Sequence, residues 1–268
     1  MDRRMRRATS TAWIVAMCVA LVACGGGGDT TTSGSGPTGS SSSTTDATGP
    51  VSPSATSGAC ANPYQPVSTG AAWTYDLHSS ASEDSTYTDT IASVTSDGYS
   101  VTSSFADLNR VVPWSCTPRG LVALQYADAA GTISNGGIQF SVETTSVRGV
   151  TIPAAIARGD RWTQRYVLSA TLVSSQGSGS GVGSVSTGYR ALGNEDVVVP
   201  AGSFSALKVR FSGAYRFTIT VAGASVPANH TFSGFLWLVQ NVGVVKTSVT
   251  VSGTFSLTAT TELTGGGP

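Results

Sequence analysis

LKVRFSGAYRFTITV, residues 207–221, alternates from end to end. Leu207, Val209, Phe211, Tyr215, Phe217, Ile219 and Val221 fall on one side, and Lys208, Arg210, Ser212, Arg216, Thr218 and Thr220 on the other. Successive side chains of a strand point to opposite faces, so this stretch reads as a strand with one buried and one wet side. Such a strand belongs to an antiparallel sheet solvated on one face. The run is much longer than the usual ~5–6 residues, which predicts a bend, with Gly213 as the bending point.

The pattern repeats outward from there. Trp162, Gln164, Tyr166, Leu168, Ala170 and Leu172 interleave with Arg161, Thr163, Arg165, Ser169 and Thr171. Further strands are predicted over 72–78, 85–94, 99–105, 120–126, 138–145, 182–192, 196–199, 230–239, 244–251 and 254–261. Turn sequences separate them: Ser96-Asp97-Gly98, Asn135-Gly136-Gly137, Pro200-Ala201-Gly202 and Asn241-Val242-Gly243. No segment carries a helical stripe. The fold expected is all-β: one antiparallel, strongly curved sheet, half-barrel or barrel-like, of about 10–13 strands, with a β-sandwich as the alternative. Residues 59–264 form this single domain, followed by a flexible 265–268.

The first 58 residues read differently. Arg3, Arg4, Arg6 and Arg7 precede an apolar run, Ala12 to Ala23, too short to span ~30 Å of hydrocarbon as a helix. That is the layout of a secretory signal. Gly25 to Ser57 is nearly all Gly, Ser, Thr, Pro and Asp, and reads as a disordered tether with an average span of about 30 Å. The domain plan is therefore a signal over 1–23, a tether over 24–58 and the β domain.

Only 11% of the residues are charged. From Cys24 onward eleven basic residues face fourteen acidic ones, and the basic residues stand singly along the chain, so nucleic acid is not an expected partner. Cys60 and Cys116 remain in the exported part, where oxidising conditions favour a disulfide. A loop of that length contributes about 4 kcal/mol in the chain-entropy account. A metal would need further ligands, and the only histidines are His78 and His230; neither metal nor cofactor is expected.

No Gly-x-Ser-x-Gly elbow accompanies either histidine, and each is assigned to a surface or strand-end position. The adjacent pairs Glu83-Asp84 and Glu195-Asp196 are assigned to turn solvation, because neighbouring strand residues face opposite ways. Gly177 to Gly183, GSGSGVG, lacks the Lys-Ser/Thr of a phosphate loop and is read as a flexible loop tip. Aromatic residues, foremost Trp73, Tyr75, Trp162, Tyr166 and Trp237, either line a concave face able to hold an apolar ligand or fill the core.

Leu21-Val22-Ala23-Cys24 resembles the lipobox of bacterial lipoproteins. The resemblance implies cleavage before Cys24, acylation of that cysteine by palmitate-type chains, and stable membrane attachment. Gly25 in place of Asp implies the outer membrane, facing the periplasm or the cell surface. Three further segments, TGAAWTYDL (69–77), EDVVVPAGSFSALKVRF (195–211) and LWLVQNVGVVK (236–246), resemble uncharacterised bacterial lipoproteins with periplasmic β-sheet domains of unknown function. Residues 238–241 depart from the polar or acidic approach usual before the Gly-Val turn. The function expected is a non-catalytic, membrane-anchored binding or envelope-assembly module holding an apolar ligand or an envelope protein. The alternatives are an extracytoplasmic hydrolase and an interaction module using an edge strand. Oligomeric state is not legible.

Overall fold

The computed structural model describes residues 60–106, 109–126, 131–135, 138–175, 177–221, 223–253 and 256–268; the leader, Cys24 and the tether lie outside the described residues. Fourteen strands follow in chain order: β1 (Ala72–Ser79), β2 (Ser85–Val94), β3 (Gly98–Ser104), β4 (Asn109–Thr117), β5 (Gly120–Ala123), β6 (Gly131–Asn135), β7 (Ile138–Gly149), β8 (Ile152–Pro153), β9 (Arg161–Ser174), β10 (Gly177–Val199), β11 (Gly202–Val221), β12 (Ala224–Val239), β13 (Gly243–Gly253) and β14 (Leu257–Gly267). All belong to one antiparallel sheet ordered β6-β7-β9-β10-β11-β12-β13-β14-β1-β2-β3-β4-β5-β8. It curls into a half-barrel, the first of the architectures expected. β4, β6 and β8 are strands beyond those expected, and 182–192 and 196–199 form one strand, β10, which brings the count to fourteen. Alternation does not mark β4, whose ladder runs through Pro113.

The chain begins in the middle of the sheet. β1 is paired to β2 on one side and to β14 on the other, so residues 265–267, expected to be flexible, are hydrogen-bonded partners of Ala72, Trp73 and Thr74. The two ends of the sheet are stitched together by the connection between β7 and β9. There Ile152 and Pro153 pair with Leu121 and Gly120, and the Thr151 N–H donates to the Leu121 carbonyl at 2.9 Å. The Thr151 hydroxyl accepts from the Ala123 N–H at 2.8 Å and from Gln164 Nε2 at 2.6 Å. The free side of β5, which would otherwise template association, is thereby covered.

Inward-facing residues fill this shell in three apolar clusters. The largest gathers Trp73, Tyr75, Ile91, Leu121, Leu207, Val209, Val245 and Leu263 from around the whole sheet. A second is built by β9–β12 around Leu168, Val185, Tyr215 and Phe217, and a third by Leu77, Val251, Leu257 and Ala259. Cys60 and Cys116 are joined as expected, with Cα atoms 5.0 Å apart, fixing the segment before β1 to β4.

One expectation changes here. GSGSGVG is no loop tip: Gly177 to Gly183 is the start of β10, paired with β9 throughout and with β11 from Gly179. Gly213 pairs in regular register with Thr187 and Phe232, and the register shift in β10–β11 lies between Ala191 and Gly193. The glycines serve another purpose. A methyl group at Gly183 would strike the Phe217 ring, one at Gly213 the Phe232 ring, and one at Gly234 the Phe211 ring. Each glycine thus sits directly across from a phenylalanine whose ring lies over it, filling space without leaving a void.

Candidate functional site

The five aromatic residues singled out in the sequence do not share one surface. Trp73 and Tyr75 are buried, and their polar atoms are used internally: the Trp73 indole N–H donates to the Val242 carbonyl at 2.7 Å, and the Tyr75 hydroxyl to the Val244 carbonyl at 3.0 Å. Trp162 stacks on Tyr189 with ring centres 5.2 Å apart, and its indole N–H donates to the Thr151 carbonyl. Tyr166 is buried in the second cluster. Trp237 is 8% exposed and joins the largest cluster, yet its neighbours across the strands are Lys208 and Lys246, on the outer face.

That outer face carries the grooves. Residues paired in one row across the sheet are Thr163, Gly188, Ser212, Ser233, Thr250 and Thr258, from β9 to β14 in turn. Small side chains at these positions leave a trough of about 750 Å³ running from Thr163 and Arg165 to Thr250 and Ser252. It meets a second hollow of about 310 Å³ that extends to Thr258 and Thr260, the two sharing Ser233 and Thr250. Neighbouring strands lie ~4.8 Å apart, so the combined groove is about 24 Å long. Ser and Thr recur along its floor, interspersed with Gly188, Ala214, Phe232, Phe235 and Ala259.

Arginines surround it. Arg165 and Arg216 line the larger part and Arg210 the smaller. Beside them, Arg161, Arg190 and Arg210 are directly opposed on three adjacent strands, and Arg148 is directly opposed to Arg165. The expectation that basic residues stand singly is corrected: they are scattered in sequence, and the register gathers six arginines on one face. Among the described residues no carboxylate forms an ion pair with any of the six. Like charges directly across a sheet repel, by roughly 0.5–1 kcal/mol per pair in water. The sequence did hold a signal, since Arg161, Arg165, Arg210 and Arg216 all occupy outward positions of the two clearest strands.

One end of this face is neutralised. Lys208 Nζ stands 3.0 Å from Glu195 and Lys246 Nζ 2.5 Å from Glu262, with the Trp237 ring between the two lysines at 5.1 and 5.8 Å. The Trp237 indole N–H donates to Glu195 at 2.6 Å. That bond, followed by the one from Lys208, holds the Glu195 carboxyl below the usual range. Glu195 is therefore a strand residue braced by Trp237, in place of the turn-solvating role expected of it. This pairing leaves the arginines one row further along without acidic neighbours in their own rows.

The titratable groups elsewhere are dispersed. His78 is half-exposed and its Nδ1 lies 2.8 Å from Asp84, whose hydrogen bond raises the imidazole pKa. His230, expected at a strand end or on the surface, is instead 3% exposed within β12 beside Tyr215; burial lowers its pKa. Asp89 on the inner side of β2 is raised by burial and lowered in part by Ser103 and Arg110. Among the described residues no group of three or more His, Cys, Asp or Glu is placed to hold a metal.

No protein-family model matches the chain, and no curated protein matches it. Solved structures give fold-level likenesses. A protein from Bacteroides fragilis, assigned as exported with a YmcC-like fold, has TM-score 0.38 and 15% identity over 77% of this chain and 98% of that one. One from Parabacteroides distasonis, assigned as a lipoprotein, has TM-score 0.41 and 12% identity over 76% and 97%. The hypothetical lipoprotein YmcC from Escherichia coli has TM-score 0.33 and 12% identity over 74% and 85%.

Proposed function

We propose that this chain is a lipid-anchored, non-catalytic binding module of the bacterial cell envelope, held through Cys24 and working with the outer face of β9–β14. The observation that carries the reading is the groove itself: a trough lined by Arg165, Arg210 and Arg216, with Arg148, Arg161 and Arg190 opposed to arginines on the neighbouring strands, none of them paired to a described carboxylate. Such a field raises the local concentration of an oppositely charged partner and speeds its capture. The lipobox-like 21–24 supports the address, and the tether lets the domain stand about 30 Å from the lipid. The inner face contributes the scaffold, its aromatic rings being packed on one another and on glycine.

The test separates address from binding. Palmitate labels the wild-type chain and not Cys24→Ala; equal incorporation overturns the anchor. The Cys24→Ala chain, freed of lipid, co-sediments with purified envelope fragments at low salt and is released as salt rises. A chain that stays in the supernatant at every salt concentration overturns the binding reading.

A further inference from the structure

Resting on that reading, we propose that the groove's occupant is a linear acidic polysaccharide, bound across the strands with its carboxylates or phosphates against the arginines. Three features on the outer face converge on this chemistry. The groove crosses six strands and is open along its length, which suits an extended chain better than a compact molecule. Ser and Thr hydroxyls recur along the whole floor, each able to donate and accept, which matches the hydroxyls of a sugar backbone.

The third feature is where the charges lie. Arg165 and Arg216 stand along the larger trough and Arg210 along its continuation, on β9 and β11, with Arg190 on β10 between Arg161 and Arg210. Guanidinium forks grip carboxylates and phosphates in two-bond pairs, so charges spaced along a chain are met repeatedly. A bilayer surface is too broad to follow a trough only a few residues wide. Stacked bases would need exposed aromatic platforms, and the rings described at the groove are already engaged: Phe232 lies over Gly213, and Phe235 and Trp237 lie under Lys208.

The experiment is titration calorimetry on the full chain carrying Cys24→Ala, with an alginate oligomer, a phosphorylated mannan oligomer and a neutral dextran of similar length. At least one acidic glycan binds, more weakly as salt rises, and dextran gives no heat. Arg165→Gln, Arg210→Gln and Arg216→Gln combined lower the affinity at least about tenfold, with a melting temperature unchanged or raised. Arg119→Gln, on the turn between β4 and β5, leaves binding intact. No binding of either acidic glycan, or tighter binding to anionic lipid vesicles or to duplex DNA, overturns the proposal. If the glycans fail while envelope co-sedimentation persists, the occupant is wrong and the surface stands; if both fail, the binding reading falls with it.

Discussion

The two faces of β9–β12 follow the same strands and obey opposite rules. Inside, rings lie on glycines at Gly183, Gly213 and Gly234, and the Trp162 indole finds the Thr151 carbonyl. Outside, small hydroxyl residues leave space unfilled, and six arginines stand without described acidic partners. One face is arranged to be stable, whereas the other tolerates repulsion that stability alone would remove. Natural sequences break local rules mainly where something other than folding is at stake, so the outer face is where a partner belongs.

The contrast can be broken or sharpened by substitution, beginning on the inner side. Replacing Cys60 and Cys116 by Ser opens the 56-residue loop and lowers stability by about 4 kcal/mol, read from denaturant midpoints under non-reducing conditions. A loss under 1 kcal/mol would mean that the sheet holds its first strands without the clamp. Gly234→Val drives a side chain into the Ser248 backbone and the Phe211 ring and costs about 3 kcal/mol, while Ser212→Val, one row away on the outer side, stays within about 0.5 kcal/mol. Equal costs would erase the distinction between the faces. Tyr75→Phe removes the donor to the Val244 carbonyl and costs about 1–2 kcal/mol, checked by thermal melting.

Arg190→Gln works in the other direction. It relieves repulsion from Arg161 and Arg210 and raises stability by about 0.5 kcal/mol at low salt, a gain that shrinks as salt is added. A stability loss would show that Arg190 has a structural partner. The smallest effect is on pH dependence. Burial lowers the His230 pKa in the fold, so on acidification the unfolded chain takes up a proton, near its ordinary pKa of 6.5, before the folded chain does. Stability therefore falls as pH drops below that value, and His230→Leu flattens this part of the profile, measured by denaturant titration at pH 7 and pH 5.5.

How far the sequence could be read depended on whether the signal was local. The alternation of 207–221 is a property of one strand, and it gave the buried side of β11 correctly from Leu207 to Val221. Gly177 to Gly183 carries no such signal because glycine has no side chain to alternate; what makes it a strand is the Phe217 ring and two neighbouring backbones. The arginine row is less local still. Arg161, Arg190 and Arg210 are far apart in the chain, and only the register of three strands sets them side by side. His230 looked like a strand end because Pro227 and Asn229 precede it, yet β12 begins earlier, at Ala224, and carries it inside.

The bridge from Cys60 to Cys116 also decides how the domain would bear a pull. Tension entering at Cys60 crosses directly to Cys116 in β4 by a covalent path, so the backbone between them, which carries β1, β2 and β3, cannot be drawn taut. A partner tugging on the groove would load the ladders that join β4 to β14 through β3, β2 and β1. The fold is thus built to be towed from near one end of the sheet without unravelling from its first strand.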